Sequence, residues 1–492
     1  MSHIEAYANS PINASVDTKT ELRRERKVVI SLFISTLMAA IDGTIVLLAI
    51  PTIVKDLNST VDLGIWVILS YLITLTVLSS QVGKISDRYG RAKMYNLGIA
   101  IFTIFSALCA LSVNIIMLII TRALQAVGGA LISTNSSALV ADNFEPNRRG
   151  RVFGLTSAGW NFGSILGIFL GGLLTTIDWH LIFLINLPIG IGLLSISLKA
   201  IRDVREKDTK RLDITGALLL GVALLCIVLF MTFFILFGID GFTLTLVILA
   251  AIFTAAFILN EYRSDEPTID FKIFNNRVVR YSILASTIQS IATFSVLFLI
   301  ILYLQGPRDL NPLAASLYLL PGYIVGAIIA PYAGKLSDIK GAREIASIGL
   351  ALIIGAYILY ELLLSPSMNL YLLLLITFIS GAGSGLFFPS NISAIMSNAD
   401  KDKYGMTAGT NRMLGNIGTI LSFVVSLTVA SASISKEEVL AIFVGTLSGL
   451  NSSLVDAFVH AVKVAILVSI ALLIVAIIFS LARGKERRSS NK

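Results

Sequence analysis

The chain has 492 residues, of which 55% are hydrophobic and only 14% are charged, and its formal net charge is +8. A soluble domain carries about 25% charged residues, so this composition excludes a soluble globular protein. Segments of about 20 apolar residues recur along the chain, which is the length that crosses the hydrocarbon core of a bilayer. They lack the polar–apolar alternation of outer-membrane barrel strands. The composition therefore predicts an all-α polytopic membrane protein.

Fourteen apolar segments are long enough to span a membrane. In chain order they are 28–50, 63–83, 94–113, 115–141, 151–175, 181–200, 214–238, 241–261, 279–304, 312–333, 345–364, 368–393, 406–433 and 458–482. Lysine and arginine concentrate in the connections after spans 2, 4, 6, 10 and 12 and near both chain ends. Because basic loops stay on the cytoplasmic side, both termini are expected in the cytoplasm and the protein in the cell (plasma) membrane. Topology explains the positive charge, so no nucleic-acid partner is expected.

Two loops contain nearly the same phrase. Residues 83–91 read Gly-Lys-Ile-Ser-Asp-Arg-Tyr-Gly-Arg, and residues 334–341 read Gly-Lys-Leu-Ser-Asp-Ile-Lys-Gly. Glycines of span 5 also recur at the same spacing in span 13, so spans 1–6 match spans 9–14 and spans 7 and 8 form an inserted pair. Parallel halves of this kind are typical of secondary transporters, whose substrate site lies between the halves near the midplane.

The repeat predicts a division of the chain into five parts. They are a cytoplasmic N-terminal tail (1–27), an N-terminal six-helix half (28–200), the inserted pair with flanking cytoplasmic linkers (201–278), a C-terminal six-helix half (279–482) and a cytoplasmic C-terminal tail (483–492).

Charged residues lie deep inside two spans of the first half. Asp42 is about 14 Å from the outer end of span 1, and Arg122 is about 10 Å from the outer end of span 4, at 1.5 Å per residue. An ionisable group at such depth costs roughly 2.5–3.5 kcal/mol on insertion scales and usually marks an ion pathway, relay or counter-ion. We predict that these residues and Gln125 form a proton-coupling patch in which Asp42 carries the proton; a structural Asp–Arg pair is the alternative. Arg412 in span 13 is interpreted as a snorkelling or structurally paired side chain.

The repeated loop predicts a charged cluster at the inner ends of spans 2 to 4. Asp87 and Arg91 lie one turn apart, Asp142 ends span 4, and Gly90 permits a tight turn. We predict a latch that holds the outward-facing state, formed as closure of the inner side brings these ends together; the alternative is a loop that only sets topology. The residues assigned to it are Gly83, Asp87, Gly90, Arg91, Asp142 and Asp338.

Small residues follow one another along span 5, and in lipid they let helix backbones approach closely. We predict that this surface faces a helix of the second half; static packing is the alternative. The interface residues of span 5 are Gly154, Gly163, Gly167, Gly171 and Gly172.

The second half lacks the charged patch, since Thr377 occupies the position that matches Arg122. Polar and aromatic residues of spans 9 and 12 are predicted to line a substrate cavity instead, namely Gln289, Thr293, Phe387, Phe388 and Asn391. The sequence has no phosphate-binding P-loop, metal-ligand cluster or nucleophile triad. We therefore expect no catalytic residue, no metal, no cofactor and no ATP-driven pump, and the chain is not predicted to be an enzyme.

Four segments carry a family resemblance: 42–51 in span 1, the loop 83–93, 122–130 in span 4 and 179–190 in span 6. They resemble motifs of the major facilitator superfamily, in particular its fourteen-helix drug/proton antiporter branch, over nearly the whole chain. The resemblance implies the major-facilitator fold and, because the span 4 arginine of that family is linked to proton coupling, a proton antiporter. It also implies that span 10, which carries Gly322, Gly326 and Gly334, is the partner of the span 5 glycines. The departures from the motifs are Leu47 for Asn, Ala126 for Gly, His180 and Leu181 for Arg and Trp, and Ile168 for the proline that follows Gly167.

These features predict a secondary active transporter, a proton-coupled exporter of amphipathic or cationic organic compounds. Its expected partners are a small-molecule substrate, protons and the lipid bilayer, and a monomer is expected. A proton-coupled or uniport metabolite carrier is the alternative among transporters, and a non-transporting receptor or scaffold is the alternative from another class. The presence of Asp42, Arg122 and both loop motifs argues against the latter.

Overall fold

The computed structural model describes residues 11–144, 146–201, 213–264, 267–400, 404–435, 438 and 452–484. Within these ranges the chain is helical without strands, and fourteen helices are long and apolar enough to cross a membrane. They are α1 (Pro11–Asp56), α2 (Val61–Tyr89), α3 (Arg91–Ala110), α4 (Ile115–Asn143), α5 (Pro146–Ile177), α6 (Leu181–Ala200), α7 (Ile214–Phe237), α8 (Gly241–Arg263), α9 (Arg277–Gln305), α10 (Pro312–Lys340), α11 (Ala342–Leu363), α12 (Leu370–Asn398), α13 (Tyr404–Ala432) and α14 (Ser452–Ala482).

The first helix is longer than its apolar stretch. It begins at Pro11, although the apolar run begins near residue 28. The residues between are rich in glutamate, arginine and lysine, which are strong helix formers and need no apolar environment. The apolar pattern therefore located the membrane span but not the start of the helix.

The two halves have the same internal packing. In the first half α1 packs on α5, α4 packs on both α2 and α3, and α6 packs on α1 and α3. In the second half α9 packs on α13, α12 packs on both α10 and α11, and α14 packs on α9 and α11. This correspondence confirms the predicted fold of two six-helix halves.

The repeated loops end α2 and α10 with nearly the same backbone conformation. Gly90 has φ 103° and ψ 123°, and Gly341 has φ 103° and ψ 137°. The N–H of each glycine donates to the carbonyl of a serine one turn earlier, Ser86 or Ser337. A positive φ strongly favours glycine, so the tight turn predicted at Gly90 is confirmed and recurs at Gly341. We call the face of the bundle that carries these two loops the basic face, and the other end the opposite face.

The inserted helices cover one of two seams between the halves. The halves meet along α5 and α10 on one side and along α2 and α13 on the other. Helix α7 packs on both α2 and α13. Trp66 Nε1 of α2 donates to Thr232 Oγ1 of α7 at 2.8 Å. Helix α8 packs on α7. The pair therefore lies outside the two matching halves, as the sequence predicts.

The halves share one apolar core toward the opposite face only. That core contains Ile50 of α1 together with Leu302 of α9. Toward the basic face each half has its own core, one around Tyr95 and another around Ile283 and Ile395. The bundle is thus joined at the opposite face and divided toward the basic face.

Two hydrogen bonds reinforce the junction at the opposite face. Gln305 Nε2 at the end of α9 donates to the Leu48 carbonyl of α1 at 2.9 Å. The Leu313 N–H at the start of α10 donates to Thr176 Oγ1 near the end of α5 at 3.2 Å. Each bond links one half directly to the other.

Candidate transport site

Asp42 lies at the centre of a buried polar cluster in the first half. Asp42 and Gln125 are 0% exposed, and Arg122 is 2% exposed. Arg122 Nη1 donates to Asp42 Oδ2 at 2.9 Å and to Gln125 Oε1 at 2.7 Å, while Gln125 Nε2 donates to Asp42 Oδ1 at 3.1 Å. The structure brings together the three residues that the sequence placed in one patch. Their assignment to proton coupling stays a prediction.

Asn186 of α6 completes the donors around Asp42, and the sequence interpretation gave it no role. Its Nδ2 donates to Asp42 Oδ1 at 3.2 Å and to Ser106 Oγ at 3.1 Å. It directly follows Ile185, where helix α6 is interrupted, so the chain turns an amide inward. The feature of the sequence that could have identified Asn186 is an asparagine inside an apolar span. Both carboxylate oxygens of Asp42 therefore accept hydrogen bonds.

The Arg122 guanidinium lies near two aromatic rings. Its central carbon is 4.3 Å from the centre of the Tyr71 ring and 5.8 Å from that of Phe183. A planar guanidinium can stack on a ring and donate in its own plane at the same time, which a lysine ammonium cannot. The cluster therefore holds an arginine specifically and pairs its charge with Asp42.

Arg91 forms the charged cluster that the loop motif predicted. Its Nε lies 2.8 Å from Asp87 Oδ1, and its Nη1 lies 2.7 Å from Asp142 Oδ1. These bonds tie α2, α3 and α4 of one half together. The cluster is assembled although the halves have separate cores at this face. The prediction that closing this face brings the three ends together is therefore wrong, because all three belong to one half.

Two other residues of the predicted latch contribute differently. A Cβ on Gly83 would lie 3.7 Å from Thr134 Cγ2, which is an ordinary contact, so no close approach requires glycine there. Asp338 lies near the end of α10, and its side chain is outside the part of the chain that the structure describes. A latch role for these positions stays a prediction.

The glycine stripe of α5 packs against α1 and not against α10. A Cβ would lie 2.7 Å from the Leu37 carbonyl oxygen if added to Gly163 and 2.9 Å from that of Ile41 if added to Gly167. Gly171 meets α1 one turn further on. The predicted partner is wrong for these three glycines, since the stripe faces a helix of its own half.

One glycine of α5 does reach α10. A Cβ on Gly172 would lie 2.6 Å from Ser316 Cβ, whereas one on Gly154 would meet nothing within 4 Å. On α10, Gly322 and Gly326 face α12 instead of α5. The predicted interface between the halves therefore rests on Gly172 alone among the five glycines.

Two of the predicted cavity residues are packed inside the second half. Asn391 is 1% exposed, donates to the Ser282 carbonyl at 3.0 Å and accepts from Arg483 Nη1 at 3.4 Å. Phe387 is 0% exposed, and its backbone packs on Gly349 of α11. Both residues pack against helices of their own half, and their assignment to the cavity stays a prediction.

The other three cavity candidates lie on α9 and α12. Gln289 is 1% exposed; its Nε2 donates to Thr293 Oγ1 at 3.2 Å, and its Oε1 has no hydrogen-bond partner within the described residues. Phe388 is 38% exposed. A cavity role for these three residues stays a prediction.

Comparison with known proteins identifies the family. Residues 32–423 match the family model described as Major Facilitator Superfamily. The chain belongs to the Major Facilitator Superfamily. It is a membrane transporter with the fold that the sequence predicted, while the fourteen-helix drug/proton antiporter branch stays a prediction.

Relatives of this chain are named for different transport functions. The chain is 32% identical over 381 residues to the riboflavin transporter RibZ of Clostridioides difficile (strain 630), covering 77% of this chain and 82% of that protein. It is 30% identical to multidrug resistance protein 3 of Bacillus subtilis (strain 168), covering 84% and 81%. A crystal structure of a bacterial homolog of the human lysosomal transporter Spinster, inward-facing and occupied, has a TM-score of 0.69 at 15% identity, covering 95% and 99%. That structure shares the fold.

Proposed function

We propose that this transporter is a proton-coupled exporter of amphipathic organic compounds in the plasma membrane, with the basic face and both termini in the cytoplasm. The cluster of Asp42, Arg122 and Gln125 carries the proposal. It places a carboxylate in the membrane interior, where an ionisable group is costly and usually functional. The positive charge of the basic face supports the orientation.

The contacts of Asp42 suggest how a proton would move. In the arrangement described, Arg122, Gln125 and Asn186 donate to Asp42, and the halves are divided toward the basic face. This is the arrangement expected after a proton has left toward the cytoplasm. When rearrangement of the halves withdraws Arg122, a lone buried carboxylate is costly, and Asp42 takes up a proton from the opposite face. One proton would thus enter as substrate leaves.

A metabolite carrier is the second candidate. The relative named as a riboflavin transporter favours it, whereas the relatives named as multidrug resistance proteins favour drug export. Both candidates use the same site, and the chemistry of the substrate separates them.

The test is proton release in proteoliposomes. A preset pH gradient should collapse on addition of a transported compound, with ethidium representing drugs and riboflavin representing metabolites. Asp42→Asn should abolish this release. Because Asp42→Asn leaves Arg122 buried without its carboxylate, the double variant Asp42→Asn/Arg122→Gln serves as a second test in which no charge is stranded. Substrate-driven proton release by either folded variant at the wild-type rate would refute the proposal.

A further inference from the structure

Arg412 of α13 points from the second half toward the first. Its side chain is exposed, and its guanidinium carbon lies 5.9 Å from the centre of the Trp160 ring of α5. The Trp160 side chain is itself 44% exposed. Because the ring belongs to the other half, Arg412 faces the space between the halves. It lies about 12 Å along α13 from the start of that helix at Tyr404.

The two arginines inside the spans differ in burial and in ion pairing. Arg122 is buried and pairs with Asp42 at 2.9 Å. Arg412 has no ion pair with a carboxylate among the residues that the structure describes. The space between the halves therefore carries a positive charge that no carboxylate of the described residues neutralises.

Closure of this space would remove the Arg412 guanidinium from water. While the halves are divided toward the basic face, water can solvate the guanidinium. Transport requires that the space close during each cycle. A lone cation cut off from water in the membrane interior costs several kcal/mol, so closure is favourable only if an anion enters with it.

The two side chains fit one kind of anion. A guanidinium binds a carboxylate, sulfonate or phosphate through two parallel N–H···O hydrogen bonds. The indole beside it offers a flat apolar surface on which an aromatic ring can stack. A cationic compound would be repelled at the same place.

We propose that Arg412 and Trp160 form a substrate-recognition site for planar aromatic compounds that carry an anionic group. The inference rests on the proposed transport function and adds to it the sign of the substrate's charge. It replaces the interpretation of Arg412 as a snorkelling or structurally paired residue. It also narrows the predicted amphipathic or cationic substrates to amphipathic anions.

Equilibrium binding to the purified full-length protein tests this site without any proton gradient. Two probes share one ring system and differ by a phosphate, namely riboflavin and riboflavin 5′-phosphate, and flavin fluorescence reports binding. The phosphorylated probe should bind at least about tenfold more tightly at fixed ionic strength. Arg412→Gln should reduce this preference to less than about threefold, and Arg412→Lys should keep part of it because the charge remains. Trp160→Ala should weaken the binding of both probes by similar factors.

Arg280 provides the matched control. It is also an exposed arginine beside an aromatic ring, with its guanidinium carbon 5.1 Å from the centre of the Tyr281 ring, but it lies at the start of α9. Arg280→Gln should leave the preference for the phosphorylated probe unchanged. Equal affinity of the wild-type protein for both probes, failure of either probe to bind, or an unchanged preference in a folded Arg412→Gln protein would overturn the inference. Since binding needs no coupling, a negative result in the proton-release assay would leave this result standing.

Discussion

At the scale of single residues, Asp42 and Arg122 form a buried ion pair in the first half. Removing one partner of a buried ion pair costs about 3–5 kcal/mol, since the other charge is left in a medium that solvates it poorly. Gln125 and Asn186 both donate to the other carboxylate oxygen of Asp42, Oδ1. The pair is therefore a structural element in this arrangement, and the proposed proton cycle requires that it also separate.

Arg122 variants test whether a positive charge alone at this position is sufficient for transport. Arg122→Ala should lower thermal stability strongly, because it leaves Asp42 buried without its cation. Arg122→Lys should be less destabilised, yet transport should stay well below wild type, since an ammonium cannot stack on Tyr71 and bind both Asp42 and Gln125. Thermal unfolding and transport in proteoliposomes measure the two effects. Wild-type transport by Arg122→Lys would show that the geometry of the guanidinium is unimportant.

At the scale of helices, close backbone approach recurs at matching places in both halves. Gly163 brings α5 onto α1, and Gly418 brings α13 onto α9 in the same way: a Cβ on Gly418 would lie 2.7 Å from the Thr287 carbonyl oxygen. Such contacts rely on small residues because van der Waals packing, and not the hydrophobic effect, holds helices together in lipid. The stripe therefore stabilises each half and positions Asp42 of α1.

Gly167→Leu should disturb this packing. Its side chain would collide with Thr44 and the Ile41 backbone of α1, and overpacking of this kind typically costs about 1–3 kcal/mol. Because Thr44 lies two residues from Asp42, transport should fall together with thermal stability. The control is Gly192→Leu on α6, where an added Cβ meets nothing within 4 Å. Equal stability of the two variants would contradict the assigned α1–α5 contact.

The Arg91 cluster gives a second prediction at this scale. Arg91→Ala would leave Asp87 and Asp142 facing each other without the cation that joins α2, α3 and α4. Charged hydrogen bonds contribute about 1.5–3 kcal/mol, so we expect a clear loss of thermal stability, whereas Arg88→Ala at an exposed neighbouring position should change it little. If both variants unfold at the same temperature, the cluster does not hold the three helices together.

At the scale of the whole molecule, the halves share one apolar core at the opposite face and have separate cores toward the basic face. The α2–α13 seam is covered by α7, while the α5–α10 seam is closed at the opposite face by Gly172 and Thr176. Rocking of the halves about the shared core would open the opposite face and close the basic one. This motion is the form of alternating access common to such folds.

Cross-linking tests this arrangement along a single helix pair. Thr176→Cys with Leu313→Cys, at the opposite face of α5 and α10, should cross-link readily and stop transport, because the bond prevents that face from opening. Gly154→Cys with Tyr332→Cys, nearer the basic face of the same helices, should cross-link poorly, since a Cβ at position 154 has no neighbour within 4 Å. The native Cys109 and Cys226 are buried and should not interfere. The reverse cross-linking pattern would contradict the described arrangement.

The sequence by itself determined the class, the fold and the depth of the important charges. Hydrophobic length located the spans, the repeated loop revealed the matching halves, and a rise of 1.5 Å per residue placed Asp42 and Arg122 at depths from which they could meet. These features are local along the chain or depend only on distance from the membrane surface. They need no knowledge of which helices are neighbours.

Tertiary structure decided which side chains face one another. The sequence analysis assigned the glycine stripe of α5 to α10, whereas the rotation of the helix turns Gly163, Gly167 and Gly171 toward α1. The same cause buried Phe387 and Asn391, brought Asn186 to Asp42 and turned Arg412 toward Trp160. The periodicity of a helix that is apolar on all sides carries little information about its orientation, since lipid and protein neighbours favour the same residues. Packing between helices supplied that information.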